Sequence, residues 1–158
     1  MNLKERLDLN IQFRSLSLKN IDECTELYIK VFNGEPWNDN WQEGDAKERL
    51  TDIFSNHKFL GVGVYDEKNN IIGFFAGYTE RWLKSNHFNL NEICIKTALQ
   101  NKGIGSKLLD RLEIKCKQNN ISRIYLLTER AGQAEAFYKK NSFYVSPKMI
   151  MMAKRLKD

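Results

Sequence analysis

Residues 95–109 read Ile95-Lys96-Thr97-Ala98-Leu99-Gln100-Asn101-Lys102-Gly103-Ile104-Gly105-Ser106-Lys107-Leu108-Leu109. An apolar strand end passes through a short loop into an amphipathic helix that opens on Gly-x-Gly. The first N–H groups of a helix lack intrahelical partners, and the helix dipole makes that end partly positive. Glycines at 103 and 105 keep side chains away from those donors, and Lys102 adds a mobile cation. The stretch therefore has the chemistry of a phosphate cradle. Taken alone, the two glycines are read first as a tight turn and second as a phosphate site. The spacing is not that of a Walker loop, and Leu108 stands where a dinucleotide fingerprint needs its third glycine.

Working outward, Ile104, Leu108, Leu109, Leu112 and Cys116 share one face of a helix predicted over 103–118, with Lys107, Asp110, Arg111, Lys115 and Lys117 opposite. Strands are expected at Phe88–Lys96 before this helix and at Ser122–Thr128 after it, parallel to each other through the crossover. Upstream, Phe59–Tyr65 and Ile71–Trp82 flank the polar turn Asp66–Asn70 as an antiparallel hairpin. Ile11–Leu16 reads as a first strand. Ser17 is placed to cap a helix reaching Phe32, and a second helix is expected from Gln42 to Ser55. A last helix spans Ala134–Asn141, and Tyr144–Val145 and Met149–Ala153 are expected to close as strands. The order β-α-α-β-β-β-α-β-α-β-β predicts a mixed α/β sheet in a single domain over residues 1–158.

The composition narrows the class. The 158 residues carry 25 Lys+Arg against 20 Asp+Glu, a net charge of +5, with 42 % hydrophobic residues. The cations interleave with acids at helical spacing, so a nucleic-acid surface is not expected. The longest uncharged stretch, Asn69–Thr79, falls short of the ~18 residues of a membrane span. Around Lys4, Glu5 and Arg6 there is no apolar segment that could serve as a secretory signal. Cys24, Cys94 and Cys116 are odd in number and widely spaced, and His57 and His87 stand alone. Neither a metal site nor a disulfide is expected, and the setting expected is cytoplasmic.

The run Gln100-Asn101-Lys102-Gly103-Ile104-Gly105 resembles the [Q/R]-x-x-G-x-[G/A] signature of the GNAT superfamily of N-acetyltransferases. Asn91-Glu92-Ile93-Cys94-Ile95 is similar to that family's central strand, Ala134–Phe143 to its A-x-x-F-Y-x-K-x-G-F segment, and Met151–Lys154 to its final strand. The resemblance implies the GNAT fold: a mostly antiparallel mixed sheet with a splayed parallel pair and flanking helices. It implies acetyl-CoA as co-substrate, with the pantetheine arm along Ile93, Cys94 and Ile95. Gln100, Asn101, Lys102, Gly103, Ile104, Gly105 and Ser106 would then hold the pyrophosphate. The implied activity is acetyl transfer to a primary amine by direct attack in a ternary complex. The competing reading is a silent acyl-CoA-binding module of the same fold.

Two positions depart from the family pattern. Ser142 replaces the usual glycine, which leaves Asn141 to make the left-handed turn, and Ala131 replaces an asparagine often found seven residues before the tyrosine. Tyr138 matches the position that protonates the leaving thiolate in many members, although it also lies on an apolar helical stripe. Glu92 is the candidate base. Regular alternation puts it on one face with Leu90 and Cys94, a bulge would change that parity, and a structural acid is the competing reading. For the acceptor, Glu35, Trp37, Tyr78 and Trp82 are the candidate contacts, with the tryptophans 37 and 41 read as a plug before a lid. Phe32–Asn38 resembles a run in some aminoglycoside-acetylating relatives. Edge strands near the C-terminus offer a way to pair two copies as a homodimer.

Overall fold

The computed structural model describes residues 10–157. The charged start at Lys4, Glu5 and Arg6, where no signal segment is expected, lies outside them. Contacts divide the chain into two compact units, one ending at Leu127 and one beginning at Thr128.

The first unit is built on a five-stranded sheet in sequence order: β1 (Gln12–Ser15), β2 (Phe59–Tyr65), β3 (Ile71–Arg81), β4 (Asn86–Ile95) and β5 (Ile121–Tyr125). The first three junctions are antiparallel and the β4–β5 junction is parallel, as the hairpin and crossover lengths predicted. Helices α1 (Ile21–Phe32) and α2 (Glu43–Phe54) cover one face. Their Cys24, Leu27, Tyr28, Val31, Ala46, Leu50, Ile53 and Phe54 close over Phe74, Ala76 and Cys94 of the sheet. Helix α3 (Ile104–Gln118) packs on the opposite face, where a Cβ on Gly73 would stand 3.6 Å from Leu108. Its buried residues are the five that the helical spacing selected.

Ser17 does cap a helical turn, but a shorter one than expected. It forms a capping box with Asn20 around the 3-10 turn Leu18–Asn20, and α1 begins only at Ile21. The reciprocal Asn20 side chain closes that turn locally, so the long helix starts after it.

The second unit holds α4 (Gln133–Lys140). The expected strands at Tyr144–Val145 and Met149–Ala153 are not present as strands: these residues have no regular secondary structure, and nearly all of their side chains are exposed. A strand needs a paired neighbour for its backbone groups, and no described residue pairs with them.

Candidate active site

Helix α3 starts at the glycine pair, as the sequence pattern predicts. Gly103 caps α3 in the left-handed region (φ 85°, ψ 0°), no side chain caps the helix, and its first turn carries no acid. A Cβ at Gly103 would meet nothing within 4 Å, so it is the left-handed backbone and not crowding that calls for glycine here. Asn101 is also left-handed, at φ 60°. Gln100 is differently engaged. Its Nε2 donates to the Ile95 carbonyl at 3.0 Å and its own amide donates to Thr97 at 3.2 Å, stitching the loop to the end of β4.

Parallel pairing of β4 with β5 begins at Asn86 and stops at Asn89, opposite Tyr125, leaving Leu90–Ile95 without a β5 partner. Pairing ends there because β5 itself ends at Tyr125, on the side of β4 that leads to the start of α3. Within that stretch β4 bulges: Ala76 faces Glu92 and Gly77 faces Leu90, which leaves Asn91 as the extra residue. Its buried Oδ1 has no hydrogen-bond partner. Gly77 is required here, because a Cβ would press into the Asn89 carbonyl oxygen and lie 2.7 Å from the Phe88 ring.

The bulge corrects the regular alternation. Phe88 packs edge-on to Phe75 on the α3 face, with centroids 6.3 Å apart. Leu90, two residues on, shares that face, whereas Glu92 and Cys94 lie under α1 and α2 with their partners Ala76 and Phe74. Cys94 is fully enclosed there and its thiol is pushed well above its ordinary range by burial. It can offer a ligand only its backbone.

Glu92 is buried and held through a single oxygen. Arg49 of α2 places Nε 2.7 Å and Nη2 2.5 Å from Oε1, and the Tyr28 hydroxyl donates to the same atom at 3.4 Å. Every hydrogen bond described for the carboxylate goes to Oε1, and the residue as a whole is 7 % exposed. Burial raises the Glu92 carboxyl above the ordinary glutamate value of 4.5, and the Arg49 cation offsets only part of that rise. Burial also raises the Tyr28 phenol, reinforced by the Glu92 charge, so Tyr28 remains a donor.

Beyond Glu92 the same sheet face is polar. Tyr78 pairs with Asn89, whose Nδ2 donates to its hydroxyl at 3.4 Å, and Tyr125 donates to Glu80 at 2.7 Å. Trp37 packs edge-on to Phe32 at 5.1 Å and Trp41 against Tyr28 at 5.6 Å, so both rings plug the core beside α1. Asn33 clamps the Trp41 backbone from both sides, and the Arg49 guanidinium lies 6.0 Å from the Trp41 ring. Glu35 is exposed on this loop. Trp82 stacks on His87 at 5.1 Å in the β3–β4 turn, six residues along β3 from Ala76. That is roughly 20 Å at strand rise, so Trp82 is not brought to Glu92.

The acetyltransferase (GNAT) family model matches residues 21–143. The chain belongs to that family. Among relatives, this GNAT chain is 30 % identical over 132 residues to the uncharacterized protein YdhI of Bacillus subtilis, covering 71 % of this chain and 79 % of that protein. It is 29 % identical over 92 residues to YxbD of the same organism, covering 58 % of this chain and about half (54 %) of that protein's length. In fold it matches the aminoglycoside acetyltransferase meta-AAC0020, from an uncultured soil metagenomic sample and solved with sisomicin. The TM-score is 0.74 at 17 % identity, over 93 % of this chain and 97 % of the other.

In the second unit of this GNAT chain, Tyr138 lies between the rings of Phe137 and Phe143, each 5.3 Å away. Helix α4 ends in a Schellman motif: the Phe143 amide donates to Tyr138 and the Ser142 amide to Lys139. The left-handed residue is Ser142 (φ 68°), not Asn141 (φ −98°) as expected, because it is the position after the cap that must reverse the chain. Ala131 is left-handed as well, at φ 62°. Both departures from the family pattern thus fall on left-handed positions.

Sequence reasoning misses Arg49, Tyr28 and Tyr125. Arg49 reads as an ordinary solvent-facing helical cation, and nothing local links it to an acid 43 residues later. Tyr28 reads as part of the apolar stripe of α1, where its ring does lie.

No described helix is long and apolar enough to cross a membrane, and no described group of His, Cys, Asp and Glu could hold a metal ion.

Proposed function

We propose that the chain is an acetyl-CoA-dependent N-acetyltransferase, one functional domain over residues 1–158, that acetylates a primary amine of a small or peptidyl acceptor. The observation that carries this reading is the unpaired stretch Leu90–Ile95 of β4, which leads to the uncapped, glycine-opened start of α3. An extended arm ending in a diphosphate has that shape. The residues present fit it: the backbone of Ile93, Cys94 and Ile95 is open toward β5, and Asn91 keeps an orphaned acceptor for an amide N–H. Main-chain donors of Asn101, Lys102, Gly103, Ile104, Gly105 and Ser106 face the phosphates, with Gln100 bracing the loop.

In the reaction, the amine nitrogen attacks the thioester carbon and the carbonyl oxygen takes the negative charge. Glu92 Oε2 takes the amine proton, directly or through water, while Arg49 and Tyr28 hold Oε1. The C–S bond breaks, the thiolate takes a proton from Tyr138, and an amide and a free thiol remain. The acceptor meets the face of Tyr78, Glu80 and Glu92, with Glu35 and Trp37 on the loop at its rim and Trp82 a distal contact for a long acceptor. Four acids, Glu35, Asp39, Glu80 and Glu92, favour a cationic polyamine or aminoglycoside. The three buried free thiols suit a reducing, cytoplasmic setting.

One observation favours a second reading, a silent acyl-CoA-binding module: Glu92 is ion-paired, as a structural acid would be. Calorimetry with CoA tests the site, and acetyl-CoA consumption across a panel of polyamines, aminoglycosides and peptides tests turnover. Absence of CoA uptake by folded protein overturns both readings. Uptake without turnover by any amine favours the second.

A further inference from the structure

Glu80 lies on the same sheet face as Glu92, further along β3. Ala76 faces Glu92 across the ladder, and Glu80 comes four residues after Ala76, so both carboxylates point to one side of the sheet. Four residues of extended chain separate them by about 13 Å. No residue of β3 beyond Ala76 belongs to the core under α1 and α2. Tyr78, Glu80 and His87 are only half-buried on this face, and Trp82 is 63 % exposed.

Aromatic side chains from three strands surround Glu80. The Tyr125 hydroxyl of β5 donates to its Oε2 at 2.7 Å. Burial pushes the Tyr125 phenol above its ordinary range and the bond to Glu80 adds to that, so Tyr125 keeps its proton and Glu80 is the acceptor. His87 is the register partner of Glu80 on β4, and Trp82 stacks on His87 with centroids 5.1 Å apart. Tyr78, two residues before Glu80, closes the side toward Glu92 and accepts from Asn89 at 3.4 Å. Glu80 forms no ion pair among the described residues. Arg123, level with His87 on β5, is exposed and stays apart from it. A carboxylate oriented by a phenol, ringed by π faces and lacking a cation of its own has the chemistry that takes an ammonium group from a ligand.

We propose that Glu80, with Tyr125, Tyr78, His87 and Trp82, forms a second cation site, and that the acceptor is a linear polyamine whose two ends lie at Glu92 and at Glu80, roughly 10–14 Å apart. Placing the reacting amine at Glu92 rests on the acetyltransferase reading, whereas the site around Glu80 stands on its own geometry. The far ammonium, kept protonated by the carboxylate, holds the chain in one register along the strand and so selects the acceptor by length. A short diamine cannot reach both carboxylates.

Calorimetry compares decamethylenediamine with the matched ten-carbon amino alcohol, in which a hydroxyl replaces one ammonium. The wild type should bind the diamine about tenfold more tightly, the worth of one hydrogen-bonded charge. Glu80→Gln keeps an oxygen for Tyr125 but removes the charge, and should make the two ligands equal. Tyr125→Phe should weaken diamine binding by about threefold, and trimethylenediamine should gain nothing over its own amino alcohol. In acetyl transfer the same preference should appear in KM with kcat unchanged. A wild type that does not distinguish the two long ligands overturns the proposal. So does a preference that survives Glu80→Gln in protein shown by circular dichroism to be folded, or one equally strong for the short diamine. A Glu80-dependent preference in a protein that takes up no CoA upholds the cation site and sinks the acetyltransferase reading. Acetyl-CoA turnover with no such preference does the reverse.

Discussion

Arg49 grips Glu92 by one oxygen only, with Nε at 2.7 Å and Nη2 at 2.5 Å from Oε1. A carboxylate held through one oxygen is oriented by that grip, and the described hydrogen bonds leave its second oxygen for a proton. That arrangement ties helix α2 to the central strand at the point where β4 bulges.

As a base, Glu92 must be ionised, so turnover should fall as pH drops through its raised value, with the acid limb above 4.5. Arg49→Met removes the opposing cation and should move that limb to higher pH without changing the affinity for acetyl-CoA. Glu92→Gln should lower kcat by about a hundredfold or more. Stability carries the opposite sign. A carboxyl raised on folding contributes most below its unfolded pKa, and that contribution is lost as pH climbs through the folded value. The Tm of Glu92→Gln relative to wild type should therefore increase from pH 4 to pH 8. A pH-rate profile that stays flat to pH 4 would remove Glu92 from proton transfer.

Tyr138→Phe keeps the ring that packs between Phe137 and Phe143 but loses the hydroxyl. We expect kcat to fall by about tenfold to a hundredfold with the CoA dissociation constant unchanged. Equal turnover by a folded variant would leave Tyr138 as packing alone.

Gly103→Ala forces an L-residue to φ 85° and adds a methyl at the start of α3, where it meets no other atom within 4 Å. The strain should cost about 1–2 kcal/mol of stability. Calorimetry should show CoA affinity weakened by about tenfold, roughly one lost backbone contact to a charged group.

Gly77→Ala should be more damaging to the fold than its size suggests. The added carbon meets the Asn89 carbonyl and the Phe88 ring, neither of which can retreat from the strand interior. A loss of about 2–3 kcal/mol is expected, lowering Tm by roughly 5–10 °C. An unchanged melting curve would mean that β4 does not press on β3 as described.

Ala131→Gly and Ser142→Gly each relieve a left-handed L-residue. Each should stabilise by about 0.5–1 kcal/mol, after allowing for the extra freedom glycine gives the unfolded chain. Hydrogen exchange of the α4 amides, slowed in each variant, is the direct measurement.

Much of the fold was legible because its signals are local. The five apolar positions of α3, the polar turn at Asp66–Asn70 and the Gly103 start each announce themselves within one or two turns of chain. The candidate site was legible only in part. Glu92 could be named, but its face could not, because a bulge at Asn91 shifts parity by one residue and leaves no mark in composition. Trp82 reads as a site aromatic yet sits at the far end of β3, since six residues of extended chain are a long way.

What the chain determined by itself is where helices, turns and the anion-friendly helix start would form. Those depend on side-chain period and on glycine, which act between near neighbours. The tertiary structure decided which oxygen of Glu92 is held and by whom, and where the pairing of β4 with β5 ends. These outcomes rest on contacts between residues tens of positions apart, and no local pattern encodes a partner that far away.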